Sequence, residues 1–317
     1  MMILLLAVVI CVFFAGCGED SGEVFFPSEP EETEGATPDR GELVILFTGA
    51  LEDSYTHDET QGSIGYAALA AYAGQLEAEE KDVILIDGGE SAAPNAPDGL
   101  WDIVDSCGYD LRVPGALELS AGVQRLVNRV DDLKNGTYIS CNIMDLTRNT
   151  TVFDPYVILE AGDVKVGFVG VTQPQALMES DRDRYGILGS ETGQALCDAV
   201  QQAVDDAADA GADYVIVVSN LGTDPDDSPW TTAEVIANTT GFAAWLDCGS
   251  GAVLDGDTVT DKDDFEIPVC APGSTFYYIG QVDLDLNDGS AKVKLVADLE
   301  EENRTIRNLI QKLEDNG

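Results

Sequence analysis

Among 317 residues the chain carries one imidazole, His57, against 59 aspartates and glutamates and seven cysteines. That single histidine excludes any mechanism that needs several imidazoles at once. The cysteines lie at positions 11, 17, 107, 141, 197, 248 and 270 with no CxxC spacing, so neither a zinc ribbon nor a dense disulfide framework is indicated. Cys11 and Cys17 fall in the N-terminal segment, which leaves an odd five. A single Cys248–Cys270 bridge stays open, whereas Cys141 and Cys270 end β-type runs and read as small buried hydrophobes. Oxygen donors are the abundant functional groups. With 16 lysines and arginines the formal charge is −43, which repels phosphate backbones and anionic bilayers and excludes nucleic acid as a partner.

The elements that must position these groups follow an alternating pattern. Short apolar runs at 43–48, 83–86, 138–142, 164–171 and 214–219 read as strands. Helical stretches at 66–80, 100–107, 121–133 and 194–210 lie between them, which implies a layered α/β domain. Its loops leave the C-terminal strand ends carrying Gly, Asp, Ser and Asn, the edge where open α/β sheets build their sites. An apolar content of 44% with 32 glycines is enough to build and punctuate a core. The last stretch, 299–317, places Leu299, Ile306, Leu309, Ile310 and Leu313 at helical spacing and is expected to pack as a surface helix.

The first sixteen residues are nearly all apolar, too short a run for a membrane span of about 20 residues and suited to a signal-peptide core. The run ends Phe14-Ala15-Gly16-Cys17, which resembles the lipobox of bacterial lipoproteins, with Cys17 as the lipidated residue. Phe14 stands where Leu is usual, and no base precedes the run. A plain cleaved signal peptide and an uncleaved anchor are the alternatives. Residues 17–42 are acidic, with Arg40 their one base, and contain Pro27, Pro30 and Pro38, so they read as a disordered tether. The expected location is extracytoplasmic, at a bacterial cell surface or periplasm, with the membrane met through the lipid alone.

Several segments together carry a family resemblance. Leu43-Val-Ile-Leu-Phe-Thr48, Gly62-Ser-Ile-Gly-Tyr-Ala67, and Val83-Ile-Leu-Ile-Asp-Gly-Gly89 are followed by Cys107-Gly-Tyr-Asp110 and Val164-Lys-Val-Gly-Phe-Val-Gly170. With Ser219-Asn-Leu-Gly222 and 267–286 they resemble the 5′-nucleotidase family and its calcineurin-like metallophosphatase domain over most of 43–298. The resemblance implies a four-layer α/β/β/α sandwich with two metal ions at the strand ends in active members.

That chemistry uses two metals, bridged by a carboxylate, to activate water and neutralise phosphate. The family motif Asn-Asp-x-His corresponds to Gly49-Ala50-Leu51-Glu52. The bridging aspartate after Asp-x-Gly corresponds to Glu90, in Asp87-Gly88-Gly89-Glu90. Gly-Asn-His-Glu corresponds to Gly115-Ala116-Leu117-Glu118, the ligand of Ser-His-Leu-Gly to Asn220, and the two histidines of Gly-His-Ser-His to Gly249 and Gly251. None of these eight positions keeps its usual residue, and His57 cannot stand in for five imidazoles. Alanine, leucine and glycine side chains offer a metal no lone pair.

An acidic rim of Glu52, Asp53, Glu90, Glu118 and Asp247 remains, which without metals would repel a phosphate monoester. Asp87 and Glu118 are expected to bond loop amides. Glu52, Glu90 and Asn220 could form an oxygen-only site for Ca²⁺ or Mg²⁺; otherwise no cofactor is expected. The family's separate C-terminal nucleotide-clamping domain finds no counterpart in the nineteen residues after 298, and Trp101, Trp230 and Trp245 read as packing residues. The resemblance thus implies a non-catalytic, lipid-anchored relative that binds or scaffolds an unknown protein partner. The alternative is an active phosphoesterase with an altered carboxylate-rich cation site. A saline environment would favour so acidic a surface whatever the function.

Overall fold

The computed structural model describes residues 39–51, 55–56, 62–224, 230–249 and 251–316. The expected signal segment and Cys17, most of the expected tether, and Glu52, Asp53 and His57 lie outside the described residues. Among the described residues, no helix is long and apolar enough to cross a membrane.

Two six-stranded sheets carry the fold. The first holds β1 (Glu42–Thr48), β2 (Asp82–Asp87), β3 (Leu111–Arg112), β4 (Thr137–Tyr138), β14 (Ile279–Asp285) and β15 (Ala291–Val296), in the order β15-β14-β1-β2-β3-β4. The second holds β7 (Tyr156–Ala161), β8 (Val164–Val171), β10 (Tyr214–Ser219), β11 (Ala244–Asp247), β12 (Val253–Thr260) and β13 (Glu266–Pro272), in the order β12-β13-β11-β10-β8-β7. Strands β1 to β4 are parallel, as are β8, β10, β11 and β13. A small sheet of β5 (Ile143–Asp145), β6 (Thr150–Thr151) and β9 (Tyr185–Ile187) sits apart.

The strand period of two explains the layering. In β1, Leu43, Ile45 and Phe47 join Val166, Phe168, Ile216 and Val218 in a core between the two sheets. The alternate residues Val44 and Leu46 face outward against α1 (Gly65–Ala78), α2 (Asp98–Ser106) and the C-terminal α7 (Arg304–Asn316). Val169, Val171, Val215 and Val217 likewise face α5 (Gly193–Asp209) and α6 (Thr232–Ile236). Strands buried on both faces read as continuous apolar runs. The architecture is the α/β/β/α sandwich.

Short α3 (Ala116–Leu119) and α4 (Val123–Val130) pack over the small sheet through Leu119, Val123 and Leu126. The helix expected over 121–133 is thus shorter, although Leu133 still packs on the core. Helix α7 buries Ile306 and Ile310 of its expected stripe, with Leu299, Leu309 and Leu313 half-buried around them.

One expectation is corrected and two points are added. Residues 138–142 are not one strand: Ile139 N–H donates to Arg112 of the first sheet at 2.9 Å, and Cys141 N–H to Gly170 of the second at 2.8 Å. The run is apolar because it crosses between sheets. Arg40 and Gly41 also bond the sheet, Arg40 N–H donating to Asn287 Oδ1 at 3.0 Å and Leu286 N–H to the Gly41 carbonyl at 3.0 Å. Finally, Cys248 and Cys270 form no bridge; with Cys107, Cys141 and Cys197 they are free, buried thiols.

Candidate functional site

The C-terminal ends of β1, β2, β3, β10 and β11 converge on one edge. Parallel pairing continues past the strand ends and stitches the loops together. Gly88 N–H donates to the Thr48 carbonyl at 2.8 Å, Val113 N–H to Asp87 at 2.8 Å, and Cys248 N–H to Ser219 at 2.7 Å. Ala50, Glu90, Ala116, Leu117, Asn220 and Gly249 all follow these ends. Gly251 lies farther out, where an added Cβ would meet nothing nearer than Ser274 Oγ at 3.9 Å.

The loops fit one another closely where ligands would otherwise stand. A Cβ on Gly88 would overlap Cys248 Sγ, one on Gly49 the Cys248 Cβ, and one on Gly249 the Asn220 backbone. A Cβ on Gly115 would overlap Glu90 Oε1 and come within 2.6 Å of Asn220 Oδ1. Glu90 and Asn220 are therefore brought together beside Gly115, as the sequence suggests, while Glu52 lies outside the described residues.

Both groups already bond the protein itself. Glu90 Oε2 accepts from Leu117 N–H at 3.0 Å and Oε1 accepts from Ala116 N–H. Asn220 Nδ2 donates to the Gly88 carbonyl. Ala50, held at φ +51, directs its carbonyl to Thr275 N–H at 3.1 Å. Among the described residues no group of three or more His, Cys, Asp or Glu is arranged to hold a metal ion. The described side chains alone do not fit a two-metal centre: Ala50, Ala116, Leu117, Gly249 and Gly251 carry no side-chain donor atom, and Glu90 and Asn220 bond the protein itself.

The other described acids of this edge, Glu118, Asp87 and Asp247, bond the loops around them. Glu118 is buried and accepts N–H bonds from Glu90 at 2.9 Å, Ser91 at 2.8 Å, Ala92 at 3.2 Å and Gly115 at 3.0 Å. Burial, then the charges of Glu90 and Asp87, push its carboxyl up to about 7 against the pull of those amides. Asp87 accepts from Gly89 N–H at 3.0 Å and Ser91 Oγ–H at 2.6 Å. Asp247 accepts from Gly222 N–H at 3.1 Å, Gly249 N–H at 3.0 Å and Thr232 Oγ1–H at 3.1 Å, and burial pushes it up to about 6.

Arg112, to which the sequence pattern assigns no role, lies beneath this edge. It is fully buried, 3.4 Å from Asp87 and 3.7 Å from Asp105, with its guanidinium over the Tyr109 ring. Among the described residues its Nε and one terminal nitrogen have no hydrogen-bond partner, nor does the buried Tyr66 hydroxyl. Burial holds the Tyr66 and Tyr109 hydroxyls well above the usual tyrosine range. The available signal was an arginine inside the apolar run Leu111-Arg112-Val113.

The tryptophans do pack: Trp245 is buried with Nε1 donating to Ser219 Oγ at 2.8 Å, and Trp101 Nε1 donates to the Ala93 carbonyl at 3.0 Å. Trp230 donates to Gly189 at 2.8 Å. A separate cleft of about 520 Å³ opens between the small sheet and the start of α5, lined by Leu146, Leu177, Arg182, Tyr185, Leu188 and Thr192 among others.

No family model matches the chain. A 2′,3′-cyclic-nucleotide 2′-phosphodiesterase/3′-nucleotidase of Salmonella typhimurium is 24% identical over 285 residues, covering 79% of this chain and 43% of that protein. The Haemophilus influenzae protein of the same description is 23% identical over 199 residues, covering 56% of this chain and 29% of its own length. The chain thus spans less than half of either relative. Among solved structures, a Thermus thermophilus sulfate thiohydrolase SoxB superposes with TM-score 0.70 at 17% identity, covering 88% of this chain and 61% of that one. The calcineurin-like phosphoesterase YfkN of Bacillus subtilis gives 0.66 at 20%, covering 87% and 97%. A Thermus thermophilus 5′-nucleotidase precursor gives 0.69 at 16%, covering 87% and 59%. The chain's relatives are nucleotidase and phosphoesterase enzymes, and its fold is that of the calcineurin-like metallophosphatases and 5′-nucleotidases.

Proposed function

We propose that the protein is a non-catalytic relative of these phosphoesterases, held outside the cytoplasm by a lipid on Cys17, with a binding or scaffolding role. The observation that supports it best is the bonding of Glu90 to the Ala116 and Leu117 amides. The carboxylate at the bridging position accepts from the backbone at two further ligand positions, whose side chains carry no donor atom. A phosphate ester entering here would meet carboxylates without the cations that offset them.

The test is hydrolysis of 2′,3′-cyclic nucleotides, 3′- and 5′-nucleotides, UDP-sugars and bis-p-nitrophenyl phosphate with Zn²⁺, Mn²⁺, Mg²⁺, Co²⁺ and Ca²⁺ in turn. No turnover is expected. Turnover lost in a folded Glu90→Ala variant would overturn the proposal, whereas a contaminating phosphatase would survive that substitution.

The alternative is a phosphoesterase in which Glu52, Glu90 and Asn220 hold Ca²⁺ or Mg²⁺. It draws on the enzymatic relatives and on the proximity of Glu90 and Asn220 beside Gly115. The same assay decides between the two. Anchoring has its own test: Cys17→Ala should abolish lipid labelling and move the protein out of the membrane fraction.

A further inference from the structure

The tripeptide Asn-x-Thr occurs four times, at Asn135-Gly136-Thr137, Asn149-Thr150-Thr151, Asn238-Thr239-Thr240 and Asn303-Arg304-Thr305. In an exported chain this pattern is the acceptor for N-linked sugar. Transfer needs an exposed asparagine whose carboxamide is not already engaged. The structure separates the four on that criterion.

Three carboxamides are engaged. Asn135 Nδ2 donates to the Asp105 carbonyl at 3.0 Å, and Asn238 Nδ2 to the Glu234 carbonyl at 2.8 Å. Asn303 caps α7, its Oδ1 accepting from Thr305 N–H at 3.0 Å and Ile306 N–H at 3.3 Å. The hydroxyls of the Asn238 tripeptide are also engaged: buried Thr239 donates to the Val235 carbonyl at 2.7 Å, and Thr240 to Asp261 at 2.7 Å.

Of the four, Asn149 alone joins exposure to an unengaged carboxamide among the described residues. It stands at the turn joining β5 to β6, exposed, at φ +55, with its backbone N–H closing the turn on the Asp145 carbonyl at 2.8 Å. Its carboxamide has no partner among the described residues. Thr150 is exposed and Thr151 half-buried, with the Thr151 hydroxyl likewise unbonded among the described residues. The left-handed backbone alone favours an asparagine here. It does not account for the threonine two residues on or for the free carboxamide.

We propose that Asn149 is an N-glycosylation site, an inference that rests on the extracytoplasmic location proposed above. The co-reactant is a sugar carried on a lipid phosphate or pyrophosphate. Asn149 Nδ2 bonds to the anomeric carbon as the bond from that carbon to the phosphate oxygen breaks. The lipid phosphate leaves with the electron pair, and one Nδ2 proton passes to a base of the transferase. The attached sugar would stand three residues from Leu146, which is 55% exposed and lines the cleft beside α5.

The test is tandem mass spectrometry of the peptide spanning 149–151, in protein isolated from the cells that make it, with location scored by protease accessibility on intact cells. A sugar mass on Asn149 is expected, lost in Asn149→Gln and Thr151→Ala and kept in Thr151→Ser, with the other three tripeptides unmodified. The wild-type peptide alone carries the result if a variant fails to fold. An unmodified Asn149 in protein that has left the cytoplasm overturns this proposal and leaves the location standing. Unmodified protein found only inside the cell overturns both, and sugar on Asn135 or Asn238 in place of Asn149 overturns the site assignment.

Discussion

Glu90 Oε2 lies 3.0 Å from the Leu117 amide nitrogen, so a carboxylate just past the end of β2 caps the backbone at the start of α3. The loops that follow β2 and β3 are joined by N–H bonds to this one side chain. The clamp holds charge close to charge, since Glu90 raises the buried Glu118 carboxyl.

Removing that clamp should loosen the edge. Glu90→Ala leaves the Ala116 and Leu117 amides without their acceptor, and such charge-assisted bonds contribute about 1.5–3 kcal/mol each when buried. Relief of the repulsion on Glu118, and water reaching the exposed Ala116, offset part of this. We expect a net loss of about 1–2 kcal/mol in urea unfolding, with Glu90→Gln milder. A variant as stable as the wild type would show that the clamp holds nothing.

Restoring one histidine should not restore a site. A Cβ on Gly249 overlaps the Asn220 carbonyl group, which is backbone and cannot rotate away. Gly249→His is expected to destabilise by about 3 kcal/mol through overpacking, and to bind no zinc. Gly251→His, facing open space apart from Ser274 Oγ at 3.9 Å, should be tolerated. Equal stability of the two variants in thermal melts would mean that the loops open readily.

The alternating pattern of β1, β8 and β10 was legible because strands buried on both faces appear as unbroken apolar runs. The edge holding the site was legible for the same reason, since Ala50, Glu90, Asn220 and Gly249 follow the ends of such runs. The crossing at residues 139–141 was not, because exchanging one sheet for another leaves an apolar run unchanged. Arg112 was missed because its partners, Asp87 and Asp105, come together only through the fold. The same holds for Glu90 and the α3 amides, separated by 26 and 27 positions.

Metal ions should stabilise the protein only as salts do. Ca²⁺ held by Glu90, Asn220 and further oxygens at 100 times its dissociation constant would add about 2.7 kcal/mol. NaCl at matched ionic strength screens the −43 charge without binding a site. We expect equal rises in melting temperature for the two salts. A rise specific to Ca²⁺ that disappears in Glu52→Gln/Glu90→Gln would establish a cation site instead.

Stability should fall as pH rises through the range in which Asp247 titrates. Burial lifts its carboxyl from an ordinary 3.8 to about 6, so between those values the folded chain holds a proton that the unfolded chain has released. Its contribution is complete below the ordinary value and gone above pH 6, and it amounts to at most about 3 kcal/mol. Glu118 acts in the same direction toward pH 7, as does the general negative charge that grows as carboxyls ionise. The discriminating measurement is therefore the difference between wild type and Asp247→Asn, followed by urea unfolding from pH 4 to 8 in high salt. The substitution suits the site: the amide oxygen still accepts from the Gly222 and Gly249 amides, and its nitrogen can donate to Thr232 Oγ1 once that hydroxyl rotates. Asp247→Asn should match the wild type near pH 4, exceed it at pH 8 and show a flatter slope between. An unchanged slope would mean that Asp247 stays ionised throughout, with its three donors outweighing burial.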